Sequence, residues 1–117
     1  MSTTSWDAKS NNQNDLQDIQ EWWTGLDDKS VTMTEQNPNL LFQKIGSPDQ
    51  ISKSSTIFTI QNPQMQDNKL IWYKDDLGND FNIPAQKLNL DESKKQLTIV
   101  SQEQPPRRWS FTVNALK

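Results

Sequence analysis

Three stretches of this chain carry residue types that could do chemistry. DDLGND at 75 to 80 sets Asp75, Asp76, Asn79 and Asp80 within one short segment. Carboxylate and amide oxygens gathered in this way are the donors a calcium ion takes. The segment is too short for an EF-hand loop, has no closing glutamate, and has its glycine in the wrong place. Asp, Asn and Gly are also the residues that build tight turns, so a hairpin connection with no metal is the expectation. The other two stretches, Trp72-Tyr73-Lys74 and Arg107-Arg108-Trp109, join aromatic rings to cations. Bases of single-stranded nucleic acid stack on such rings while the cations track the backbone. The formal net charge of −3 and a pI near 4.8 oppose that use. They oppose electrostatic recruitment to a membrane surface equally. No nucleic-acid and no membrane partner is expected.

Catalytic chemistry finds little to work with. The chain has no histidine and no cysteine. That removes the commonest general base, the usual triad, thiolate nucleophiles, disulfides and zinc–thiolate sites. Eleven Asp and four Glu fall almost wholly in a helix start and in turns. Burial raises a carboxyl pKa towards neutrality, and none stands alone on an apolar strand face. Glu35, at a strand end, is the best placed of them. There is no Gly-rich phosphate loop, and three glycines cannot build most nucleotide cradles. No catalytic residue, no cofactor and no enzymatic activity are therefore expected.

Placing these residues needs one helix and a set of strands. Leu16, Ile19, Trp23 and Leu26 recur at the spacing of one helical face, after a capping residue at Asn14 or Asp15. Gly25 supplies the stop, so the helix runs over about 15 to 24. In QEWWTGLDD the adjacent Trp22 and Trp23 point about 100° apart, so one core can fully bury only one of them. Trp23 belongs to the stripe and Trp22 to its flank.

Beyond the helix the period falls to two. Strands are expected around Val31–Thr34, Leu40–Ile45, Ser54–Gln61, Lys69–Lys74, Phe81–Ile83, Gln96–Gln102 and Arg107–Asn114, with a resumption near Ala85–Leu90. NPQMQDN reads as a loop, and Pro84 as a strand end or an edge position. The short connections favour antiparallel neighbours. The expected class is α+β, mainly β: one N-terminal helix and an antiparallel meander of about six to eight strands, as a curved sheet or small barrel. Residues 14–117 form the single domain. Residues 1–13, polar apart from Trp6, read as a disordered tail. The inward set contains Leu16, Ile19, Trp23, Met33, Phe42, Phe58, Ile60, Trp72, Phe81, Ile83, Leu97, Ile99, Trp109, Phe111 and Val113.

Hydrophobic residues make up only 32% of the chain, and 13 Gln and 11 Asn fill the deficit. Five tryptophans compensate, since each can bury ~150–250 Å². Large side chains left outside so thin a core invite a binding role. Trp22, Tyr73, Arg107 and Arg108 are such residues: Trp22 is spare to the helix stripe, and Tyr73 is spare if Trp72 points inward. Trp, Tyr and Arg are also the types enriched where proteins meet. The expected function is a non-catalytic interaction or regulatory module docking on a larger protein partner. The alternative is a small-molecule binder with a calycin-like barrel pocket for an apolar ligand. No apolar run is long enough to span a membrane, and MSTTSWDAKSNNQND lacks the form of a signal peptide. A cytoplasmic monomer or weak dimer is the corresponding expectation.

Overall fold

The computed structural model describes residues 3–10, 12–36 and 53–115. The expected strand at Leu40–Ile45, with Phe42, lies outside them. Among the described residues are eight strands and one helix: β1 Thr3–Asp7, α1 Gln13–Thr24, β2 Ser30–Gln36, β3 Lys53–Thr59, β4 Gln61–Gln66, β5 Leu70–Lys74, β6 Asp80–Asp91, β7 Gln96–Ser101 and β8 Arg108–Val113. All strand pairs are antiparallel. The order across the sheet is β3-β2-β8-β7-β6-β5-β4, with β1 beside the second half of β6. β4 to β8 are thus a meander of consecutive neighbours. β3 and β4 sit at opposite ends of that order, yet only Ile60 separates them in the chain. One residue cannot cross a flat sheet of seven strands, so the sheet curls into a half-barrel that brings its two edges together.

The helix begins two residues earlier than expected, at Gln13 rather than Asp15. The Asn12 side-chain oxygen accepts from the backbone N–H groups of Asn14 and Asp15, at 3.1 and 3.4 Å. Gly25 is the C-cap with φ −71°, so its left-handed freedom is not used there. Leu16, Ile19 and Trp23 are buried along one face, as the spacing predicts. That face packs on β1 and β4. Trp23 is fully buried and donates its indole N–H to the Trp72 carbonyl at 3.2 Å.

Four expectations require correction. Thr3–Asp7 is a strand, not a disordered tail: it pairs with Lys87–Asp91, and Trp6 is only 4% exposed. A polar pentapeptide with one large ring gains nothing alone, but beside β6 it satisfies a strand edge and buries that ring. NPQMQDN is not all loop, because Gln61–Gln66 forms β4. Pro63 is tolerated at the sheet edge, where the register slips between Gln61 and Gln64. Pro84 does not end β6. It lies opposite Leu70, where β6 is about to exchange β5 for β1 as its neighbour. The fourth concerns the faces of β5. Ile71 and Tyr73 are buried, while Trp72 is half-buried.

The core joins the helix stripe to the inner face of the curl: Val31, Phe58, Ile60, Ile71, Tyr73, Ile83, Leu97, Ile99, Trp109 and Phe111 are all buried. Met33 and Val113 are partly buried against it. Phe81 shares the inward face of β6 but stays 42% exposed near the end of the curl. No helix among the described residues is long and apolar enough to cross a membrane.

Candidate functional site

Alternation along β2 sends Val31, Met33 and Glu35 to one face. Met33 is registered with Phe111, and Glu35 with Trp109. The carboxylate therefore arrives on the inner face, beside an indole. Arg107 precedes β8 and turns its guanidinium onto Glu35 as an ion pair, with its Cζ 4.8 Å from the centre of the Trp109 ring. Cation–π contact and charge pairing thus hold one guanidinium in place.

Across the curl, β5 and β6 supply the facing wall. Tyr73 is registered with Phe81, and Ile71 with Ile83. The Tyr73 ring lies between two others in near-parallel stacks: Phe58 of β3 at 5.5 Å and 18°, and Phe81 at 5.3 Å and 13°. Its edges meet Trp23 and Phe111 at 5.8 and 5.6 Å. Buried among four rings, Tyr73 is the hub of the aromatic core, which is why it displaces Trp72 from the inner face. Burial raises its phenol above the ordinary range, and the Asp75 charge adds to the rise.

Between these walls lies a cavity of about 660 Å³, lined among others by Met33, Phe58, Tyr73, Phe81, Arg107 and Trp109. β3, at one end of the sheet order, and β5, next to the other end, both contribute to it, which only the curl permits. Ile57, Leu77 and Phe81 are the exposed large hydrophobics among the described residues, at 70%, 82% and 42%. All three belong to the lining of this one cavity.

The turn after β5 closes one side of the mouth. The Asp75 carboxylate accepts from the Asn79 and Leu77 backbone N–H groups at 2.8 and 3.0 Å, and from the Asn79 side-chain amide at 3.2 Å. Burial alone would push this carboxyl up, but the hydrogen bonds from Asn79, Leu77 and Gly78 outweigh it and hold the pKa below the ordinary value. Gly78 sits at φ +85°, a conformation that favours glycine. Among the described residues no three or more His, Cys, Asp or Glu gather as metal ligands. DDLGND joins the antiparallel β5 and β6 as a hairpin connection, with the Asp75 carboxylate occupied by the turn itself.

Of the four residues expected to share a surface, Tyr73 and Arg107 line this cavity. Tyr73 does so as a buried residue, 2% exposed, rather than as a spare one outside. Trp22 is half-buried against the core, in a separate depression of about 600 Å³ with Leu26, Lys29 and Val113. Arg108 is exposed and lines neither. The four do not form one patch. Sequence reasoning missed Glu35 as a partner of Arg107 and missed the apolar lip. The first was detectable, since the period of two that places Val31 and Met33 inward places Glu35 there as well. The second needs the non-local closure of the sheet. Comparison with known protein families, with characterised proteins and with solved structures finds no match for this chain.

Proposed function

We propose that this chain is a non-catalytic binding module that takes a small, largely apolar ligand in the cavity of its half-barrel. One observation carries the reading: the exposed large apolar side chains of the described residues, Ile57, Leu77 and Phe81, converge on the lining of a single cavity. Apolar surface costs ~25 cal/mol per Å² when left in water, and a converged patch is the usual mark of a binding site. The volume of about 660 Å³ falls in the range of pockets for small organic molecules, ~300–1,000 Å³. Among the described residues of the lining, none is arranged as a nucleophile with its base. Glu35 is spent on Arg107, and the Asp75 oxygens are spent on the turn. The module acts without a cofactor, and a cytoplasmic setting is part of the same proposal.

Titration with Nile red tests it, reading the dye's blue shift and the quenching of tryptophan fluorescence through Trp109. One dye per chain is expected, with Phe81→Ala and Ile57→Ser each weakening binding by about fivefold or more. Saturable binding unaffected by either substitution would place the dye elsewhere and end the proposal.

A second reading, docking on a larger protein, draws on the same lip and on the groove beside Trp22. It predicts that a partner recovered with the wild-type chain is lost with Trp22→Ala or Arg108→Ala, substitutions outside the cavity lining.

A further inference from the structure

Resting on the ligand-cavity reading, we infer that the occupant is cationic: a small planar amphiphile that carries a protonated nitrogen at the Asp75/Asp76 side of the mouth and lays its ring on the Phe81 side of the aromatic stack.

The charges facing the cavity do not balance. Among the described residues its lining contains one cation, Arg107, and three carboxylates, Glu35, Asp75 and Asp76. Arg107 is committed to Glu35 and to the face of Trp109. The neighbouring cation Lys74 reaches Asp80, at 4.0 Å. Asp75 and Asp76 are left without an ion-pair partner among the described residues. The turn's hydrogen bonds keep Asp75 ionised. Its field also reaches inward, since the same charge contributes to raising the Tyr73 phenol.

The walls point the same way by an independent route. The Phe58–Tyr73–Phe81 stack presents ring faces, and ring faces carry negative potential that attracts cations. Trp109 already shows this preference by holding Arg107. Phe81, at the open end of the stack, has the exposed ring. The Tyr73 hydroxyl is neutral and belongs to a side chain that lines the cavity and is only 2% exposed. A phenol oxygen in that position accepts a bond from an ammonium N–H. An anionic ligand would meet the Asp75 and Asp76 carboxylates and, among the described residues, would find the one lining guanidinium in use. A neutral ligand would gain the apolar contact alone.

A matched series separates the charge from the shape. Naphthalene carrying an aminomethyl, a hydroxymethyl or a carboxylate group at the same ring position supplies a cation, a neutral molecule and an anion of one size. Isothermal titration of the full chain at low salt and neutral pH gives the three affinities. The cation is expected to bind about tenfold more tightly than the neutral compound and the anion more weakly than both. Raising the salt should narrow the spread. Asp76 is exposed and makes no structural hydrogen bond, so Asp76→Asn should fold, and its cation-to-neutral affinity ratio should fall about threefold. Asp75→Asn reports the same ratio at the second carboxylate. Neutral and cationic compounds binding equally, or the anion binding best, would overturn the charge assignment and leave the apolar cavity standing. Failure of all three compounds to bind would overturn both. An Asp76→Asn ratio equal to wild type, with Asp75→Asn also unchanged, would remove the carboxylates from the site.

Discussion

Replacing Trp23 by alanine should cost far more than replacing its neighbour Trp22, although the two share a sequence context and a helix. Trp23 is 0% exposed, and an indole of that burial removes ~200 Å² from water. At ~25 cal/mol per Å² this is about 5 kcal/mol, less the part an alanine methyl retains. The edge-on contacts with Phe111 at 5.2 Å and Tyr73 at 5.8 Å add to the loss, and the Trp72 carbonyl loses its indole donor at 3.2 Å. Partial collapse of the void offsets some of this, which places Trp23→Ala near the upper end of ~3–5 kcal/mol. Trp22 is half-buried beside Leu26 and Val113, makes no ring pair, and should cost about 1 kcal/mol. Urea unfolding followed by far-UV circular dichroism separates the two. With a slope of ~1–2 kcal/mol per M, Trp23→Ala should lower the midpoint by about 2 M or more, enough to unfold a domain of ordinary stability. Trp22→Ala should lower it by less than about 1 M. Equal losses would refute the register of the helix, and with it the argument that only one of an adjacent aromatic pair can enter the core.

Removing residues 1–10 should lower the melting temperature by roughly 10 °C or more, because it strips β1 from β6 and uncovers the pocket that Trp6 fills. Trp6→Phe should cost less than Trp23→Phe in the same unfolding assay: the buried Trp6 indole N–H has no partner among the described residues, whereas that of Trp23 is bonded. Tyr73 is the only tyrosine, so ultraviolet absorbance of the phenolate reports it alone. Its folded pKa is raised, so its contribution to stability is intact below the unfolded value of ~10 and is lost as the pH rises beyond it; phenolate should appear only with unfolding, and a separate titration near 10 in the folded chain would contradict its burial. Asp7, Asp75 and Asp91 have lowered pKa values, held down chiefly by the Lys9 backbone N–H, by the turn after β5 and by Ser93 respectively. Their contribution is present above the unfolded value of ~3.9 and lost as the pH falls through the folded values, so urea midpoints should be flat from neutrality to about 5 and drop below about 4.

What could be seen in the residues follows the range of the interaction concerned. Leu16, Ile19 and Trp23 repeat within a single helix, so their shared face is a local property, and the structure buries all three. β7 and β8 alternate cleanly because one side meets core and the other water, and Leu97, Ile99, Trp109 and Phe111 are buried as the pattern implies. β1 and β4 escaped notice because neither carries an apolar pattern of its own. TTSWD becomes a strand by pairing with residues eighty or more positions away, and QNPQMQ by lying beside β5 at an edge. β5 was ambiguous for a different reason. LIWYK is apolar on both faces, and alternation alone cannot choose between Trp72 and Tyr73. The choice is made across strands, where Tyr73 finds Phe81 opposite it and Phe58 at the far edge of the sheet. The same closure decides the site. Glu35, the Tyr73–Asp75 segment and Arg107 come from three separate parts of the chain, and only the curl makes them one lining.

The position of Tyr73 also joins stability to binding. Its edge rests on Trp23, the anchor of the helix, while its face carries Phe81, whose ring is open to the cavity mouth. A substitution that loosens Trp23 without unfolding the chain, such as Trp23→Phe, removes the bond to the Trp72 carbonyl and narrows the surface on which Tyr73 leans. The Phe58–Tyr73–Phe81 stack then loses a support that no residue of the mouth replaces. Since packed rings shift together rather than singly, Phe81 should lose alignment although nothing near it has changed. Ligand affinity measured for Trp23→Phe should therefore fall about twofold to fivefold at a temperature where the variant remains fully folded, while Trp6→Phe, equally a core tryptophan but away from this stack, should bind as wild type does. Equal affinities for wild type and Trp23→Phe would show that the mouth is held by the turn after β5 alone and that the aromatic core does not transmit to it.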